Sequence, residues 1–129
     1  MDTTEKRLVE YILPNLAEII SGVDGEVLFQ ISLDAGREVI DIECLTSATQ
    51  PKNMLPLDLL LERPLDLNAA AVTYVSTGTG SIAAPEECEL AFTARLIEAG
   101  AAAGIPVVDH HLVIAGHLVS LRETTALWP

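Results

Sequence analysis

Basic residues are scarce in this chain. Seven Lys and Arg face nineteen Asp and Glu in 129 residues, giving a formal net charge of −12. No basic run exists, and a basic footprint is the first requirement for holding a phosphate backbone. Direct nucleic-acid binding is therefore not expected, and electrostatic steering would favour basic partners. Aromatics are only 4% of the chain. No apolar run reaches the length of a membrane-spanning helix, so no membrane role is expected. The two cysteines, Cys44 and Cys88, have no C-x-x-C spacing and read as two buried thiols. Met1-Asp2-Thr3-Thr4-Glu5 puts acids where a signal peptide would carry a basic segment. The protein is expected in the cytoplasm.

What is present is apolar and aliphatic: half of the residues are hydrophobic, mostly Ala, Leu, Ile and Val. One domain with a real core is expected at this length. Asp2 and Glu5 resemble a capping pair. Leu8, Tyr11, Ile12, Leu16, Ile19 and Ile20 then recur at helical spacing, with Pro14 set to bend the helix or shift its start. Residues 1–25 thus form an amphipathic helix packed on a domain of residues 26–129. Strands are expected at 26–33 and 37–45, joined by the turn Asp34-Ala35-Gly36. In the second, Ile40, Ile42 and Cys44 make a dry face and Asp41 and Glu43 an acidic one. A loop over 46–56 leads to a helix over 57–67, short or kinked because of Pro64.

A buried strand is expected over 69–75, followed by a loop and a long helix over 86–103. Pro85 opens that helix, acids fill its first turn, and Gly104 stops it. Leu90, Ala94, Ile97 and Ala101 form its expected core stripe. Three short strands follow, at 105–109, 111–115 and 118–121, with a turn near Gly116, and the tail from Arg122 is irregular. The order α β β α β α β β β defines an α/β domain: a mixed sheet with helices packed on it. The polar loop Ser76-Thr77-Gly78-Thr79-Gly80-Ser81 is the most informative place. It lies outside the carboxyl end of a strand, where α/β proteins often bind ligands. The loop holds no His, Cys, Asp, Lys or Arg.

Leu67-Asn68-Ala69-Ala70-Ala71-Val72, Thr93, Arg95 and Leu96 in the long helix, and Gly104-Ile105 through Asp109-His110 resemble the RadC family of the JAB/MPN (JAMM) superfamily. Leu33-Asp34 and Ser120 to Glu123 share the likeness, which runs from about Glu26 to Glu123. It implies a three-layer, cytidine-deaminase-like architecture and descent from zinc metallopeptidases. In that family the strand leads into His-Asn-His-Pro-Ser-Gly-Asp-Pro, and an Asp follows in the next helix. The two His and the Asp hold zinc, and an upstream Glu activates the water. The His positions are Ser76 and Gly78 here, the Asp position is Glu89, and a family Ser three residues earlier is Glu86. Pro-Ser-Gly corresponds to Thr79-Gly80-Ser81, and the Pro-Arg-Glu opening the preceding helix to Leu57-Asp58-Leu59.

A catalytic zinc needs three protein ligands and an open position. Glycine offers none, a hydroxyl is a poor ligand, and Glu89 alone is too few. With no metal there is no acidified water. The resemblance and its departures imply a pseudoenzyme with no cofactor, zinc being the ancestral metal. Protein binding or scaffolding is its expected role, as a homo-oligomer or with another protein.

Other readings compete. A metal-dependent hydrolase with a rebuilt site could use loop 76–81 with Glu89, or Asp109, His111 and His117. The last two could approach across a hairpin, and imidazole with carboxylate suits several divalent ions. A Ser-His-Asp hydrolase could combine Ser76 or Ser81 with His110 and Asp109. Adjacent strand residues face opposite ways, however, so Asp109 cannot orient His110. Loop 76–81 could also cradle a small anion or nucleotide, opposed by Glu86, Glu87 and Glu89. Trp128 either packs back on the domain or anchors a partner, and packing back is the favoured reading.

Overall fold

The structure is a computed structural model and describes residues 7–46 and 52–129. The expected capping pair Asp2 and Glu5, and residues 47–51 of the expected loop over 46–56, lie outside these residues. Leu8–Ile12 winds as a wide π turn and runs into α1, Leu13–Ser21. Pro14 sits in the first turn of α1, where a missing N–H leaves no bond unmade. Helical backbone already runs from Arg7 through this turn, so Pro14 marks a change of winding and not the start of the helix. The wide turn also shifts the helical phase. Leu13, Leu16, Ala17 and Ile20 are buried, whereas Tyr11 and Ile19, both expected in the core, are exposed.

Strand β1, Leu28–Leu33, and β2, Val39–Cys44, form the expected hairpin. The Asp34 carboxylate holds its turn by accepting from the N–H groups of Gly36 and Glu38, each at 2.9 Å. The alternation of β2 is present, but the expected dry face is not dry. Ile40, Ile42 and Cys44 are exposed, because β2 is an edge strand. Cys88 is exposed too, so neither thiol is buried as expected. A short 3-10 turn, Lys52–Met54, precedes α2, Glu62–Asp66, which is as short as Pro64 required.

Strand β3, Ala71–Thr77, runs two residues past the expected end, so Ser76 and Thr77 belong to the strand and not the loop. Helix α3, Glu87–Ala103, then crosses to β4, Val107–Ile114. Its buried side is Glu89, Phe92, Thr93, Leu96 and Gly100. Ala94 and Ala101, expected inside, are exposed. An apolar template skips Glu89 and Thr93, which are buried only because each has a bonding partner inside. The expected break at His110 is absent, and β4 is one continuous strand. Its residues His110 and His111 pair in parallel with Tyr74 and Val75. The two-residue turn Ala115-Gly116 has positive φ at both positions (49° and 79°), which suits the twist of a tight hairpin. It leads to β5, His117–Ser120. The tail expected to be irregular starts with α4, Leu121–Thr124, capped by the Ser120 hydroxyl.

The sheet order is β2-β1-β3-β4-β5, antiparallel except for the β3–β4 pair. One face packs on α1 through Ile31, Leu33, Ala71, Val75 and Val113. The other packs on α3 through Leu28, Val72, Tyr74, Phe92, Leu96 and Val107. The chain is therefore a mixed-sheet α/β domain in three layers. Among the described residues, no helix is long and apolar enough to cross a membrane.

Candidate functional site

The only parallel pair among the described residues, β3–β4, places the end of β3 under the first turns of α3. Alternation along β3 sends Ser76 to the α3 side and Thr77 to the other. Ser76 is 0% exposed, and its Oγ lies 2.7 Å from Nε2 of His110, also 0% exposed. Nδ1 of His110 lies 2.7 Å from Oγ1 of Thr93. The Thr93 hydroxyl donates its one hydrogen to the Glu89 carbonyl at 2.8 Å. It must therefore accept from His110 Nδ1–H, which leaves Nε2 to accept from Ser76. Burial holds His110 well below its ordinary pKa, and the positive charges of Lys52 and His111 act in the same direction. The imidazole is thus neutral inside a chain of hydroxyls. A Ser–His contact does form, but its third member is Thr93 and not Asp109, as strand alternation required.

Gly78 follows at the mouth of the strand. A Cβ built there would meet Ile114 Cγ1 at 2.7 Å and Leu112 Cβ at 2.8 Å, below any real packing distance. The Gly78 N–H donates to the Val113 carbonyl at 3.0 Å, which keeps the backbone in that place. Loop 76–81 therefore lies flat on β4. Its Thr77, Thr79 and Ser81 N–H groups are also bonded inside the chain, to Val27, Glu89 and Ala84. Four of the amides that an anion cradle would draw on, Gly78 included, are therefore engaged within the chain.

Glu89 is buried at 4% exposure, and both its oxygens are engaged. Oε1 receives Lys52 Nζ at 2.5 Å, and Oε2 receives the Thr79 N–H at 3.3 Å. Lys52, also buried at 5% exposure, donates to the Thr77 carbonyl at 3.0 Å and lies 5.6 Å from the Phe92 ring centre. Its backbone N–H donates to Glu26 Oε2 at 2.8 Å. Lys52 was missed in the sequence. The one signal was its rarity, since it is one of only two lysines in the sequence. Glu86 occupies the N-cap position of α3 with no side-chain capping bond, is exposed and takes no part in the buried cluster.

The second candidate group is not brought together. His117 pairs with Ile114 across the β4–β5 hairpin, while His111 pairs with Ser120 three positions away. His117 is exposed. Asp109 is a structural knot: Oδ1 accepts from the N–H groups of His110 and Arg122, and Oδ2 accepts from Ser120 Oγ at 2.6 Å. His111 lies 3.6 Å from Asp109 Oδ2, but burial depresses its pKa more than Asp109 and Glu123 raise it. The contact is therefore not an ion pair at neutral pH. Asp109 and His111 line a cavity of about 240 Å³ under α1, with Arg37, Thr73 and Arg122. Among the described residues, no three His, Cys, Asp or Glu side chains are grouped to hold a metal ion.

A three-layer α/β domain with a buried cluster of polar residues at the end of a central strand defines the class of protein. The family model for the RadC-like JAB domain matches residues 3–126, and the chain belongs to this family. It is similar to a UPF0758 protein of Roseiflexus sp. (strain RS-1), at 30% identity over 81% of this chain and 45% of that protein. A UPF0758 protein of Symbiobacterium thermophilum is 27% identical over 92% of this chain and 49% of its own length. Another, from Azotobacter vinelandii, is 33% identical over 76% of this chain and 44% of its own. The chain thus spans about half the length of the curated relatives it matches.

Proposed function

We propose that this RadC-like JAB domain works without zinc, as a protein-binding or scaffolding module and not as a peptidase. The observation that carries the reading is Gly78. The position of the second His ligand has no room for a Cβ, let alone an imidazole. The other two positions support it: the Ser76 hydroxyl is committed to His110, and both Glu89 oxygens are committed within the chain. These residues do not fit a catalytic zinc, which needs three free protein donors and an open coordination position.

The edge strand supports the binding role. Ile40 and Ile42 are exposed side by side on β2, whose outer backbone groups have no neighbouring strand. Such an edge is a template for a further strand. The net charge of −12 favours a basic partner. The test is metal content after zinc loading and after chelation, run beside sedimentation of the protein and of Ile42→Lys. Less than a tenth of a zinc per chain, with association lost in Ile42→Lys, is the expected result. One zinc per chain, or peptidase activity abolished by chelation, would sink the reading.

One observation favours a second reading, a hydrolase with a rebuilt site. Ser76 donates to a neutral imidazole, the arrangement that activates a serine nucleophile. Full burial of Ser76 weighs against it. Labelling by a fluorophosphonate that is lost in Ser76→Ala would establish it.

A further inference from the structure

We propose that the ammonium of Lys52 stands where members of this family place a metal cation, supplying the positive charge that the buried carboxylate of Glu89 requires. The inference rests on the metal-free reading above and adds what replaces the metal. A carboxylate removed from water is tolerated only when a cation or several donors take its charge. Glu89 occupies the third ligand position, and Lys52 Nζ meets its Oε1 at 2.5 Å with both side chains buried. The same nitrogen holds the Thr77 carbonyl at 3.0 Å and lies over Phe92. One cation thereby joins the end of β3, the first turn of α3 and the 52–54 turn, the connecting task of a structural ion. A metal ion approaching Oε1 would meet the ammonium already bonded there, so Lys52 excludes metal as well as replacing it.

The test is a set of melting curves on the full chain, in EDTA and in zinc chloride. The proteins are the wild type, Lys52→Ala, Glu89→Leu and the double variant Lys52→Met/Glu89→Leu. In EDTA each single variant should melt roughly 10–20 °C below wild type, because it strands one buried charge or its partner's donors. The double variant removes both charges and should melt above either single one, a result that still reads if a single variant does not fold. Zinc should leave both the wild type and Lys52→Ala unmoved, because Glu89 alone holds too few donors for the ion. Lys52→Ala melting within about 3 °C of wild type would overturn the proposal. So would a double variant no more stable than the singles. The EDTA curves judge Lys52 alone, whereas zinc bound by the wild type would overturn the metal-free reading, so the two failures are told apart.

Discussion

The Ser76 hydroxyl donates to Nε2 of His110 across 2.7 Å, with both side chains sealed from water. The direction follows from the far end of the chain, where Thr93 spends its proton on the Glu89 carbonyl. His110 is thereby fixed in one neutral tautomer, and its protonation would reverse the bond, with Nε2–H donating to the Ser76 hydroxyl.

That arrangement predicts an acid limb. His110 is held well below its ordinary value of 6.5 by burial, and then by Lys52 and His111. Below pH 6.5 the unfolded chain gains a proton that the folded chain refuses, so stability falls as the pH falls from there toward the folded pKa. The slope is up to about 1.4 kcal/mol per pH unit for this group. His111 is shifted in the same direction and adds to it. Calorimetric melting between pH 8 and pH 5 should show a steep decline in the wild type. In His110→Asn the starting stability should be lower and the decline shallower, and equal slopes would remove His110 from the account.

An opposite, alkaline limb belongs to Tyr74. Burial raises its pKa to about 12, partly offset by the bond that Gln30 Nε2 donates to its hydroxyl at 2.9 Å. The unfolded chain ionises near pH 10, so stability present below that value is lost as the pH climbs through the folded pKa. Tyr74→Phe should abolish this limb at a cost of about 1 kcal/mol at pH 7. Urea melts at pH 7 and pH 10.5 check both parts.

Restoring the histidines should not restore a metal site. Gly78→Ala should cost about 1–3 kcal/mol, because Ile114 and Leu112 must yield to a new carbon. Ser76→His combined with Gly78→His should destabilise further and bind no stoichiometric zinc. Elemental analysis and melting of the double variant check it, and one tightly bound zinc would show that the loop can lift off β4.

Trp128 closes the base of α3. Its indole N–H donates to the Val107 carbonyl at 2.8 Å, and its ring packs on two core clusters. The favoured reading of the tail as packing back on the domain is what the structure shows. Trp128→Phe should cost about 1 kcal/mol through the lost bond, and Trp128→Ala about 3 kcal/mol. In denaturant melts, no loss in Trp128→Phe would mean that the bond contributes nothing, and equal losses in the two variants that the ring packing contributes nothing.

The local grammar of the chain set much of the fold. Pro64 limited its helix, Gly104 ended α3, and Asp34 made the first hairpin turn, each through backbone chemistry acting within a few residues. The alternation of Ile40, Asp41, Ile42 and Glu43 made β2 a strand, and the resemblance to the RadC family marked Ser76, Gly78 and Glu89 as candidate positions. Strand alternation alone also ruled that Asp109 would not orient His110.

Which faces are buried was decided elsewhere. Nothing near Ile40 and Ile42 in sequence says that β2 lies at the edge, because edge position depends on the order of strands brought together from across the chain. The core side of α3 was misread because Glu89 and Thr93 are polar, and a polar residue is buried only when a distant partner meets it. Those partners are Lys52, 37 residues before Glu89, and His110, 17 residues after Thr93. Local spacing by itself determined the elements and the strand-end loop that stands out as a candidate place. Only the tertiary structure decided which charges and hydroxyls meet there, because their pairing is worth its desolvation only in the geometry that packing imposes.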